Sequence, residues 1–130
     1  MFQIDPMSRT PVYEQIVDQA ERFILVGLLK EGDQLPSVRS LSVELSVNPN
    51  TIQKAFSELT SRGLTISVPG RGSFISGKAL DIIKEKNRDK TDDFILLVKK
   101  LLRAGMSEEE LKDIISRAKA EIGGESDDRG

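Results

Sequence analysis

At Leu64 the hydrophobic period of this chain changes. Before it, apolar residues recur at steps of three and four; from it, Leu64, Ile66 and Val68 alternate with Thr65 and Ser67. Side chains repeat every 3.6 residues on a helix and every two on a strand, so the switch predicts a half-buried strand directly after a helix. Pro69-Gly70-Arg71-Gly72 supplies a turn, and Ser73-Phe74-Ile75-Ser76 returns as the second strand.

Three helices are expected upstream. Thr10-Pro11 reads as an N-cap followed by a first helical position, and Tyr13, Ile16, Val17, Ala20, Phe23, Ile24 and Leu28 form an apolar stripe, giving a helix over about residues 11–28. Lys30 to Gln34 is a polar turn, and Leu35-Pro36 forces an extended approach to Ser37, which caps a second helix from Val38 to about Leu45 with Val38, Leu41 and Leu45 inward. Ser46-Val47 turns the chain. Asn48-Pro49 repeats the cap-then-proline signature, and Ile52, Ala55, Phe56 and Leu59 mark the inner face of a third helix ending near Gly63. The expected fold is mainly α with a small β-hairpin, a winged helix-turn-helix over roughly residues 10–77.

After Gly77 the composition turns to lysine and aspartate, with Leu80, Ile82 and Ile83 as apolar anchors, and a solvated helix with a break near Thr91 is expected. Phe94, Ile95, Leu97, Val98, Leu101 and Leu102 then make an apolar surface wider than so small a segment needs for itself, which points to a partner chain. Gly105 closes that helix; Ser107 with Glu110 is a capping box opening another, striped by Leu111, Ile114, Ile115 and Ala118. The expected organisation is a DNA-binding domain at 1–77, a short helical dimerisation region at 78–122 and a flexible acidic tail at 123–130.

With no His or Cys, Ser-His-Asp and Cys-His catalysis, histidine zinc sites and thiol redox chemistry are excluded. No apolar run approaches the length of a membrane span, and Met1 to Met7 carries neither a basic n-region nor an apolar h-region, so a cytoplasmic protein is expected. The net charge of −2 argues against a nucleic-acid partner, but between Gln34 and Ser76 Arg39, Lys54, Arg62 and Arg71 face only Glu44 and Glu58.

In a winged helix-turn-helix the third helix enters the major groove. Asn50, Thr51 and Gln53 are the base-reading candidates, because Asn and Gln pair bidentately with adenine and Thr reaches phosphates or either kind of base edge. Asn48 and Lys54 belong to the same surface, and the helix N-terminus, with no acidic residue from Val47 to Ser57, suits a phosphate. Ser37 and Arg39 open the second helix, Arg39 as a fork for phosphate or guanine. At the hairpin tip Arg71 can enter a narrow minor groove, with Gly70 and Gly72 letting the backbone approach.

The stretch Gly27-Leu28-Leu29-Lys30-Glu31-Gly32-Asp33-Gln34-Leu35-Pro36-Ser37-Val38-Arg39-Ser40-Leu41 resembles the GntR family signature. The likeness continues through Leu45 to Ile52, Ala55, Leu59, Gly63, Gly70-Arg71-Gly72 and Phe74, covering about residues 10–76. It implies that Arg39, the start of the third helix and the Gly-Arg-Gly wing contact DNA. It further implies a homodimer that reads a palindromic operator and represses by blocking promoter access, with room for an unknown small-molecule effector. Many members carry Ser-Arg where this chain has Asn48-Pro49, so one basic contact is missing; the Asn-Pro-Asn-Thr variant is similar to the YtrA subgroup, whose C-terminal part is also short.

Two other readings are open to these residues. Gly72 to Lys78 fits P-loop spacing until Ala79 takes the place of the required hydroxyl, and the acid run Glu108 to Glu110 is better explained by helix capping than by metal binding, so no catalytic residue, cofactor or metal is assigned. The rival function is a protein-interaction adaptor that uses the winged helix without binding DNA.

Overall fold

The computed structural model describes the backbone of residues 1–129 and the side chains of residues 1–123, so the tail expected at 123–130 lies, beyond Gly123, outside the described side chains. The elements are α1 (Val12–Leu25), α2 (Val38–Leu45), α3 (Pro49–Ser61), β1 (Thr65–Val68), β2 (Gly72–Ile75), α4 (Ala79–Arg103) and α5 (Glu108–Arg129). The strands pair antiparallel, Ile66 opposite Phe74 and Val68 opposite Gly72. This is the expected winged helix-turn-helix followed by helices. The chain divides into two compact units, Met1–Asn87 and Arg88–Gly130.

The first unit is built on one core. Ile16, Val17, Ala20 and Ile24 of α1 meet Leu41 of α2 and Ile52, Ala55, Phe56 and Leu59 of α3, with Leu64 and Ile75 closing it from the hairpin. Ala79 and Ile83 are buried in the same cluster, so the first turns of α4 pack with the winged helix and the unit reaches ten residues past Gly77. Burial of this kind stabilises by roughly 25 cal/mol per Å² of apolar surface, and it is what holds an eight-residue helix such as α2, too short to persist alone.

Several expectations are corrected. Thr10 does not cap α1: the cap position is Pro11, with no side-chain bond, and Thr10 instead offers its carbonyl to the Gln15 amide at 2.9 Å. The helix ends at Leu25, not near 28, because Gly27 takes a left-handed φ of 82° and the N–H groups of Gly27 and Leu28 turn back to the carbonyls of Ile24 and Phe23. Leu28 is thereby turned out to 54% exposure, and Leu29 takes the buried place. On β1 the expected alternation fails at its first two residues, where Thr65 is buried and Ile66 exposed: a similar closure at Gly63 precedes them and the Thr65 hydroxyl finds that of Thr60 at 3.0 Å; Ser67 exposed and Val68 half-buried keep it. Finally, α4 runs through Thr91 without the expected break; the polarity from Lys84 to Asp93 marks a solvated helix surface, and no Gly or Pro interrupts it.

One packing element was missed altogether. Phe2 is buried edge-on against Phe23, ring centroids 5.4 Å apart, and buried Gln19 grips the backbone N–H and C=O of Gln3 while Gln15 does the same at Asp5. Among the described residues no helix is long and apolar enough to cross a membrane.

Candidate nucleic-acid interface

The turn between α2 and α3 sets where the exposed face of α3 points. Ser46 adopts φ 54°, the only non-glycine in that region among the described residues, while the Val47 N–H reaches the Ser42 carbonyl at 3.1 Å and the Ser42 hydroxyl donates to the Val47 carbonyl. Asn48 then caps α3: its Oδ1 accepts from the Asn50 N–H at 2.8 Å, and Pro49 occupies the first turn, where no donor is needed. The Asn48 acceptor is thus engaged within the protein, leaving its amide N–H groups for a ligand.

Along α3 the structure brings Asn50, Gln53 and Lys54 onto the exposed side, with Thr51 half-buried beside them. The Gln53 amide leans toward the Ser57 hydroxyl at 3.3 Å, a weak contact that a base edge can displace. Ser37 is occupied as the cap of α2, its Oγ accepting from the Ser40 N–H at 3.0 Å, and Arg39 stands exposed two residues on.

Lys54 has a partner that the sequence did not reveal. Its ammonium lies 4.0 Å from the centre of the Tyr13 ring, which makes Tyr13 more than a core residue: it holds the cation beside the exposed face of α3. The Tyr13 hydroxyl donates to Glu14 at 3.1 Å, and that hydrogen bond, reinforced by the carboxylate charge, raises the phenol pKa above its ordinary value.

The four basic residues of the segment have different fates. Arg62 is committed internally, at 2.8 Å from Glu21 and 3.0 Å from Glu58; burial works against its charge, but the bonds to Glu21 and Glu58 outweigh it, so its pKa is raised. Lys86 joins the same Glu21 at 3.3 Å. Arg39 and Arg71 remain exposed, and Lys54 is shared with Tyr13. Glu58, the one acidic residue in α3, is held by Arg62.

At the wing, Gly70 and Gly72 take φ values of 77° and 119°, which only glycine enters without strain, and Arg71 between them lies with its guanidinium 6.0 Å from the Phe74 ring. Gln34, not foreseen as part of this site, donates from Nε2 to the Arg71 carbonyl at 2.7 Å. Its signal in the sequence was only its place before Leu35-Pro36, which says nothing of a contact 37 residues away.

In the second unit the Ser107 hydroxyl accepts from the Glu110 N–H at 3.1 Å, the capping that the sequence predicts. Phe94, Ile95, Leu97, Leu102, Ile114 and Ile115 are exposed, and Val98, Leu101 and Leu111 are half-buried. Leu96, 63% exposed, extends the same apolar run and was overlooked.

The sequence pattern of the family described as bacterial regulatory proteins, gntR family, matches residues 12–75. The chain is 38% identical to the HTH-type transcriptional repressor YtrA of Bacillus subtilis over 98% of its own length and 100% of that protein. Among solved structures it is similar to a transcriptional regulator from Oenococcus oeni, with a TM-score of 0.68 and 30% identity over 88% of this chain and 96% of that one. It is also similar to the DNA-binding domain of AraR in complex with operator ORX1, with a TM-score of 0.51 and 32% identity over 58% of this chain and 93% of that one.

Proposed function

The chain belongs to the gntR family of bacterial regulatory proteins and is a DNA-binding transcription regulator, and from that premise we propose that it acts as a homodimeric repressor, each subunit laying α3 in the major groove of one half of a palindromic operator. The observation that carries this is the face of α3: Asn50 and Gln53 exposed, Lys54 held beside them, and no acid before Glu58, itself engaged by Arg62.

Roles divide by chemistry. Asn50, Thr51 and Gln53 read base edges; the Asn48 amide, Ser37, Arg39 and Lys54 meet phosphates; Arg71 enters the minor groove, with Gly70 and Gly72 giving it clearance. Dimerisation uses Phe94, Ile95, Leu97, Val98, Leu101, Leu102, Leu111, Ile114 and Ile115, six of them exposed and Val98, Leu101 and Leu111 half-buried in the monomer. The relatives are transcriptional regulators, and the work proposed for this chain is binding alone, carried out in the cytoplasm without a metal or cofactor.

The test is a mobility shift with the upstream region of its own operon across a salt series. A regulator that neutralises phosphates loses affinity steeply as salt rises, because condensed counterions are released on binding. A protein-interaction adaptor binds that DNA at no salt concentration.

A further inference from the structure

We propose that Gln34 is the positioning residue of the wing, holding the backbone at Arg71 in the pose from which the guanidinium reaches DNA; this rests on Arg71 being a DNA contact. Three observations converge on it.

The first is the hydrogen bond itself, Gln34 Nε2 to the Arg71 carbonyl at 2.7 Å, which ties the hairpin tip to the segment before α2. The second is the fit at Gly72, where a Cβ would lie 2.7 Å from the same Nε2. Positive φ is what requires glycine there, and a Cβ would in addition push the Gln34 amide off the Arg71 carbonyl.

The third is the way Gln34 is itself held. The Gly32 N–H donates to the Ile75 carbonyl at 2.9 Å, the Ile75 N–H to Asp33 at 2.8 Å, and the Leu35 N–H to Ser73 at 2.9 Å. Residues 32–35 thus run along β2 as a third lane, with Gln34 bridged to Phe74, the ring beside the Arg71 guanidinium.

An arginine on a free loop must lose loop and side-chain freedom when it binds, and a loop already held loses less. Gln34 supplies that hold without touching DNA.

The experiment uses the full chain with Gln34→Met, which keeps the length and removes the donor, Arg71→Ala, and both together. A duplex of the upstream region of its own operon is titrated, and backbone amide relaxation at Gly70, Arg71 and Gly72 is measured without DNA.

Gln34→Met is expected to weaken binding about fivefold, the weight of one ordinary hydrogen bond, when Arg71 is present, and to change nothing when Arg71 is alanine. The amides should pass from rigid to flexible, with order parameters below about 0.6. An equal loss in both backgrounds, or amides that stay rigid in Gln34→Met, overturns the proposal. Parental affinity in Arg71→Ala overturns the DNA contact beneath it, and loosened amides in Gln34→Met then separate that failure from failure of the clamp.

Discussion

The two units of this chain treat their apolar residues in opposite ways. Between Phe2 and Ile83, sixteen apolar residues are buried in one cluster, drawn from the N-terminal segment, the first three helices, the segments leading into α2 and β1, the hairpin and the start of α4. Past Arg88 none of the described residues is buried; Val98, Leu101, Met106 and Leu111 reach only the half-buried class, while Phe94, Leu96 and Ile115 are more than half exposed. The first unit completes its core from its own sequence. The second carries apolar surface that its own residues leave exposed, and this is why operator binding and dimerisation are proposed as one property.

The largest expected effect comes from removing the second unit. A chain ending at Asn87 should remain folded, sediment as a monomer and bind the operator about a hundredfold or more weakly, since linked half-site binding gains on the order of 10²–10⁴ from effective concentration. A dimer of that fragment in sedimentation would break the contrast. Ending instead at Gly77 should also unfold the domain at lower temperature, because Ala79 and Ile83 are lost from the core and Lys86 from Glu21.

Next in size is a matched pair of truncations. Leu59→Ala, at a fully buried site, should lower unfolding stability by about 2–5 kcal/mol, whereas Leu97→Ala, half exposed, should leave the diluted monomer's stability within about 0.5 kcal/mol and weaken self-association. Equal destabilisation of the monomer by both, read by chemical denaturation, would show that the second unit has a core of its own.

Smaller effects sharpen the surface of the closed unit. Gln53→Ala should relax preference at one base position by about 1–3 kcal/mol, measured against a set of single-base operator variants; a uniform loss across the set would assign Gln53 to the backbone.

The smallest contrast is between two arginines. Arg39→Ala should lower the salt slope of binding by about one, while Arg62→Ala should leave the slope unchanged and reduce thermal stability by up to about 1 kcal/mol, its pairs being partly exposed. A slope change at Arg62 would mean that its pairs with Glu21 and Glu58 open on DNA.

How much of this was legible in the sequence depended on whether the signal was local. The bounds of α2, the caps Ser37 and Asn48, the inner face of α3, the turn at Gly70 to Gly72 and the capping by Ser107 rest on neighbours within a few residues, and all were foreseen. Thr10 failed as a cap because Pro11 took the cap position, and Leu28 failed as a core residue because the closure at Gly27 outweighed the stripe. On β1 the alternation held at Leu64, Ser67 and Val68 and failed at Thr65 and Ile66, because the Thr60–Thr65 pair that accompanies buried Thr65 joins two elements. For the candidate interface, residue types and exposure were legible. The Lys54–Tyr13 contact, the Gln34 bond and the internal commitment of Arg62 join parts of the chain distant in sequence, and no window of residues shows them.

The Arg62 cluster has a practical consequence. Glu21 is largely shielded, and the domain around it rests on apolar burial, so concentrated salt should detach the protein from nucleic acid long before it loosens the fold. High-ionic-strength washing on a heparin or phosphocellulose matrix is therefore a route to material free of carried-over DNA, and the elution strength reports how many cations the interface lends to phosphate.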